Sequence, residues 1–236
     1  MNQSLMSHIL DGIWLLLRFD ADVWEIIGVS FSVSIKALIL ALPPAILIGF
    51  GLAVRQFPGR WLLVSLFQTM QAIPTVVIGL MVYMMLYRFG PLGELRWLFT
   101  QNAMILAQFL LAFPLLVSLS YGAFAGADWR AWETARTLGA SRIRAFGVLC
   151  NELKATLIVA LISGFSRIIT EVGAAMLVGG NIQHVTRNIP TAISLETSKG
   201  AFSQAIALGT VLLLLALILN FAVGQLHRQS DRLARG

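Results

Sequence analysis

The sequence predicts an all-helical integral membrane protein with about five spanning helices, and three observations carry that reading. Of 236 residues, 58% are hydrophobic and only 12% charged, whereas soluble domains run about 45–50% apolar and about 25% charged. The mean hydropathy is +0.81. Five segments hold the roughly 20 mostly apolar residues that a helix needs to cross a hydrocarbon core about 30 Å thick. A water-soluble enzyme and a disordered chain are both excluded by these numbers. The single cysteine, Cys150, excludes a disulfide framework or a cysteine-held metal centre within one chain. His8, His184 and His227 are far apart and show no ligand spacing, so no metal or other cofactor is expected. The net charge of +6 reports loop placement rather than nucleic-acid binding.

Taken in order, the first span runs from about Ile26 to Val54 and carries one charge, Lys36, close enough to the outer end to snorkel there. The second, from about Trp61 to Tyr87, and the third, from about Trp97 to Ala127, are uncharged. The fourth, from about Ala155 to Gly180, contains Arg167 and Glu171, and the fifth, from about Ala205 to Leu226, is again uncharged. No strand alternation competes, and lipid leaves only helices or closed barrels as spanning structures. Leu5–Phe19 is apolar but short and interrupted by His8 and Asp11, so residues 1–25 read as an extracytoplasmic segment whose helix lies in the interface, with a sixth span as the alternative. That stretch lacks the basic start and small-residue cleavage site of a signal peptide.

Loop charges orient the bundle. Arg55 and Arg60 in one turn, Arg130, Arg136, Arg142, Arg144 and Lys154 in the long loop of about 126–154, and Arg228, Arg232 and Arg235 in the tail 227–236 share one side. The positive-inside rule makes that side cytoplasmic, with the amino terminus outside and the carboxyl terminus inside. Pro43, Pro44, Pro74, Pro91 and Pro114 sit in or beside spans, where a proline removes a backbone hydrogen bond and kinks the helix.

The long loop is more than a solvated connection. Asp128 is placed to accept hydrogen bonds from the first turn of a helix ending near Leu138, Gly139 supplies a left-handed stop, and Ser141 can cap a second helix leading into the fourth span. Trp129 and Trp132 have no purpose in a loop that merely faces water. Glu133-Thr134-Ala135, with Gly139 four residues after Ala135, resembles the Glu-Ala-Ala loop of permease subunits of ABC importers. The chain departs from that pattern at Thr134, Leu149, Asn151 and Glu152. AIPTVVIGLMVY at Ala72–Tyr83, GPLG at Gly90–Gly93 and the stretch Thr170–Phe202 are similar to permeases of the molybdate and tungstate group, EVGAAMLVGGNI and ISLETSKG most of all to the tungstate type.

This resemblance, from about Ser30 to Leu226, implies a type I ABC importer transmembrane bundle over residues 26–226 in the cytoplasmic membrane of a prokaryote. It implies a homodimer with two cytoplasmic ABC ATPase subunits and an extracytoplasmic oxyanion-binding protein, seated in membrane lipid, with tungstate carried and molybdate or sulfate as alternatives. Glu133, Thr134, Ala135 and Gly139 are thereby implied in ATPase coupling, through a helix docked in a groove. The chain has no G-x-x-x-x-G-K-[ST] of its own and so reads as a permease, not an enzyme. A membrane-embedded enzyme would want an H-E-x-x-H site or a nucleophile with its base, and neither is visible.

An oxyanion pathway needs weakly binding hydrogen-bond donors. Gln68, Gln71 and Thr75 fall at i, i+3 and i+7 of one helical face, and Gln101, Gln108, Ser163, Ser166 and Thr170 are further donors. The competing reading is that these side chains knit helices together. Arg167 and Glu171, one turn apart in the fourth span, read either as a gate or as a structural ion pair facing the bundle. In the outer loop Gly180–Gln204, which is expected to hold a helix from about Ile189, Asn181, Arg187 and Lys199 are candidates for docking the binding protein.

Overall fold

Long apolar runs become long helices in the computed structural model, which describes residues 5–233; helix is the only regular structure among them. The side chains of His8 and His227 and the charges of the tail 227–236 lie outside the described residues. The order is α1 (Leu5–Leu17), α2 (Ala21–Val54), α3 (Arg60–Met70), α4 (Thr75–Leu86), α5 (Gln101–Ala125), α6 (Arg130–Thr137), α7 (Arg142–Glu152), α8 (Lys154–Ile169), α9 (Gly173–Gly179), α10 (Ile189–Lys199) and α11 (Phe202–Leu233), with a 3-10 turn at Gly93–Leu95. α1, at 13 residues, is about 20 Å long and is too short to cross the hydrocarbon.

Among the described residues, three helices are long and apolar enough to span: Ala21–Val54, Gln101–Ala125 and Phe202–Leu226. Two further spans are possible only as bent pairs, α3 with α4 at 96° and α7 with α8 at 75°. The expected second span is therefore broken rather than kinked. Pro74 accounts for it: the ring disfavours the helical region for Ile73, and Pro74 itself sits at φ −56, ψ 131. Pro43, Pro44 and Pro114, by contrast, stay inside continuous helices. The expected fourth span also ends early, at Ile169, and residues 170–172 break it before the seven-residue α9.

The chain divides into two compact units, each assembled from separate stretches. Unit one comprises Met1–Leu40, Ile73–Ala112 and Phe165–Ile218. Its core gathers Val23, Ile26 and Ile27 of α2, Ile189 and Ala192 of α10, and Leu208 of α11. α4 and α9 approach closely because Gly79 has no side chain: a Cβ there would stand 2.7 Å from Ala174 Cα. Asn188 and Thr191 form a reciprocal capping box at the start of α10, and the Ile189 N–H donates to Ser30 Oγ at 2.7 Å. Unit two comprises Ala41–Ala72, Phe113–Gly164 and Leu219–Gly236. It buries Phe124, Ala145 and Leu149 completely, and Arg60 Nη2 donates to Tyr121 Oη at 3.1 Å.

Candidate functional site

Three places collect the polar and exposed groups that a permease would use. The first is the α6–α7 hairpin in unit two. Asp128 Oδ1 accepts from the Arg130 N–H at 3.0 Å, the expected bond to the first turn, made from one residue before the N-cap Trp129, and Ser141 Oγ caps α7 by accepting from the Arg144 N–H at 3.3 Å. Gly139 has φ +87, the left-handed stop, and the Ala140 N–H closes back on the Ala135 carbonyl at 2.9 Å. Arg136 Nη1 donates to the Ala140 carbonyl at 2.6 Å and braces the same turn.

Glu133, Thr134 and Gly139 are exposed and Ala135 is half-buried, so these four present one accessible element. Sequence reasoning missed Leu138 and Ile143, each 82% exposed beside the turn. Their signal was available: two large apolar side chains flanking a glycine stop, in a segment too polar to enter lipid. Phe50, near the end of α2, was missed as well.

The second place is the pair of helix breaks. Gln71 is the C-cap residue of α3, and its Nε2 donates to Ser118 Oγ at 2.9 Å and to the Phe67 carbonyl at 3.3 Å. Thr75 opens α4, so the helical face expected to unite Gln68, Gln71 and Thr75 does not exist. Gln71 belongs to unit two, whereas Thr75, Arg167 and Glu171 belong to unit one. There Thr75 and Glu171 meet around Gly173. A Cβ on that glycine would lie 3.4 Å from Thr75 Oγ1 and 3.5 Å from Glu171 Oε1.

The Arg167–Glu171 pair forms, at 3.2 Å from Nη1 to Oε2, but the two ends are unequal: the side chains are 42% and 5% exposed. Glu171 lies beyond the end of α8 and also accepts from the Ala174 N–H at 3.2 Å, which caps the start of α9. Several other expected donors serve the fold. Gln108 is buried and donates to the Ile168 carbonyl, Gln101 donates to the Val185 carbonyl, Ser163 bonds back within α8, and Thr170, just past the end of α8, donates to the Ser166 carbonyl.

The third place is the α9–α10 loop with the first turn of α2. A cleft of about 130 Å³ is lined by Asp22, Glu25, His184, Arg187, Glu196 and Lys199 among others. His184 Nδ1 lies 2.6 Å from Glu25 Oε2. The hydrogen bond to Glu25 and the charge of that carboxylate raise the His184 pKa, with Asp22 adding to the effect and Arg187 opposing it. Lys199 Nζ pairs with Glu196 Oε1 at 2.9 Å. The structure thus brings Arg187 and Lys199 to one cleft. Asn181 instead works inside the loop, with φ +51 and its Nδ2 donating to the Thr191 carbonyl.

Residues 45–235 match the family described as the binding-protein-dependent transport system inner membrane component. The tungstate uptake system permease protein TupB of Peptoclostridium acidaminophilum is 37% identical over 228 residues, covering 95% of this chain and all of that protein. TupB of Campylobacter jejuni is 35% identical over 232 residues, 97% of each. The molybdenum transport system permease protein ModB of Escherichia coli K12 is 32% identical over 204 residues, 83% of this chain and 89% of its own length.

Proposed function

The chain belongs to the binding-protein-dependent transport system inner membrane components, and from that premise we propose that it is the tungstate-conducting permease subunit of an ABC importer. The observation that carries the substrate is full-length similarity to two tungstate permeases, whereas the molybdenum relative matches over less of the chain. The test is uptake in cells stripped of their own oxyanion permeases and supplied with this chain, its ATPase and its binding protein. Tungstate accumulation that a tenfold excess of sulfate leaves intact is expected; accumulation of molybdate in preference to tungstate overturns the assignment.

Energy comes from a separate subunit, since no phosphate-binding G-x-x-x-x-G-K-[ST] occurs in the chain. Two copies would enclose the pathway, each carrying one ATPase, with the assembly seated in lipid. The hairpin of Glu133, Thr134, Ala135 and Gly139 would dock on the ATPase, and its geometry, a glycine stop followed by the Ser141 cap of α7, supports that reading. Gln71, Thr75, Arg167 and Glu171 would line or gate the path, since all four stand at breaks where the backbone leaves the helix or at the ion pair beside one. Arg187 and Lys199 would face the binding protein from the outer cleft, and Asn181 would hold the loop that carries Arg187. Residues 1–25 would lie outside, with α1 in the interface, and the tail 227–236 inside.

A further inference from the structure

Five aromatic rings from four parts of the chain meet in unit two. Phe50, near the end of α2, has its centroid 4.7 Å from Phe146 of α7, 5.4 Å from Phe124 of α5, 5.4 Å from Trp132 of α6 and 6.3 Å from Trp129, the residue before α6. Phe124 and Phe146 are themselves 6.1 Å apart, as are Trp129 and Trp132. The angles between ring planes run from 35° to 76°, the tilted and edge-on arrangements that rings prefer at these separations. Phe50 is the ring that touches the other four.

The arrangement has a mechanical consequence. Covalently, α6 is joined to α5 only through the short turn Gly126–Trp129, which continues neither helix. A closely packed core does not bend; it passes displacement on with little compression. We infer that Phe50 is the positioning residue of energy coupling: its ring locks the α6–α7 hairpin to the ends of α2 and α5, so that a push on the hairpin moves those helices with it. The inference rests on the proposed docking of this hairpin on the ATPase. It assigns to Phe50 a role in transmission, with no contact to substrate or ATPase required.

The test uses the assembled transporter, permease with ATPase and binding protein, reconstituted in vesicles. It reads two quantities: the rate of ATP hydrolysis and the amount of tungstate imported per ATP. Phe50→Ala is expected to assemble and to hydrolyse ATP at the unstimulated wild-type rate. Its import per ATP should fall at least about tenfold, within the factor of about 5–150 that links coupled sites. Phe50→Leu, which keeps most of the apolar volume without the ring, is expected to assemble and fall in between. That graded variant decides the matter if Phe50→Ala fails to fold.

A merely structural role would lower yield, hydrolysis and import together and leave the ratio unchanged, which overturns the inference. So does wild-type stoichiometry in Phe50→Leu. If the wild-type complex imports tungstate but a cysteine on α6 fails to cross-link to the ATPase, the docking reading falls and this inference falls with it. Cross-linking together with an unchanged ratio in the variants overturns this inference alone.

Discussion

Glu171 and Arg167 form one ion pair but stand in unequal surroundings, and that inequality sets what each substitution does. The carboxylate is buried and holds both Arg167 Nη1 and the Ala174 N–H, while the guanidinium is 42% exposed. Removing Arg167 strands a buried charge, which costs about 3–5 kcal/mol in protein interiors. Removing Glu171 strands one backbone N–H, at about 1–3 kcal/mol, beside a guanidinium that can turn outward. Arg167→Leu is therefore expected to lower the thermal midpoint in detergent more than Glu171→Leu, with the double Leu variant above Arg167→Leu; the opposite order would make the helix cap the main role of Glu171. Uptake then separates gate from girder. As a gate, the double variant folds, binds its ATPase and imports little; full import at every tungstate concentration leaves the pair as structure. His184 titrates outside the apolar helices and answers to pH instead. Its raised pKa means that the protonated ring is favoured by the fold, so the Glu25 contact is whole below about pH 6.5 and is lost as pH rises through the folded-state value. Amide protection at residues 183–186, corrected for intrinsic exchange, should fall as pH rises above about 6.5, and His184→Gln should flatten that change.

At the scale of elements, the hairpin was legible in the sequence and the breaks were not. Asp128, Gly139 and Ser141 act on backbone groups two or three residues away, so their types and spacing carry the geometry: Asp128 takes the first N–H of α6, Gly139 turns left-handed and Ser141 caps α7. The breaks at 71–74 and 170–172 are invisible to composition, because a kinked span and a broken one bury the same apolar residues. Pro43, Pro44 and Pro114 were as strong a signal as Pro74, yet those helices continue through them. The ring cluster was half legible: Trp129 and Trp132 stood out as too apolar for a loop, but their partner Phe50 lies about 80 residues away in sequence, beyond any local pattern. Two substitutions test the hairpin. Gly139→Val places a β-branched residue at φ +87, a strain of about 1–3 kcal/mol; membrane insertion should survive while hydrolysis stimulated by the binding protein falls, and normal transport would remove the coupling role. Leu138→Asp with Ile143→Asp should weaken retention of the ATPase on the purified permease by about 30-fold, the loss expected when anchors worth about 2 kcal/mol are removed. Retention at the wild-type level would mean that these exposed side chains meet something else, lipid headgroups first.

For the whole molecule, the side each connection faces follows from how many segments cross, and a re-entrant pair would reverse the side of everything after it. Three helices span by length and composition, and the two bent pairs either cross or turn back. The charges argue for crossing. Arg55 and Arg60 flank the turn between α2 and α3, and Arg130, Arg136, Arg142, Arg144 and Lys154 fall between α5 and the start of α8, while the acidic Asp11, Asp20, Asp22 and Glu25 all precede the first apolar run. If α3 and α4 turned back, the connection between α4 and α5 would share a side with Arg55 and Arg60, and α5 would then deliver the arginine-rich hairpin to the opposite side, against the positive-inside tendency. Single cysteines in a Cys150→Ser background decide between these arrangements. The positions must be exposed, which favours Gln56, Arg96, Ser141 and Gln183. Five crossings predict that an impermeant maleimide labels cysteines at Arg96 and Gln183 from outside intact cells, and those at Gln56 and Ser141 only after permeabilisation. Labelling of Gln56 and Arg96 from the same side would make α3–α4 re-entrant. Labelling of Ser141 and Gln183 from the same side would do so for α7–α8. Either result alone would leave four crossings and put α2 and α11 in the same direction relative to the membrane only if a further span were found.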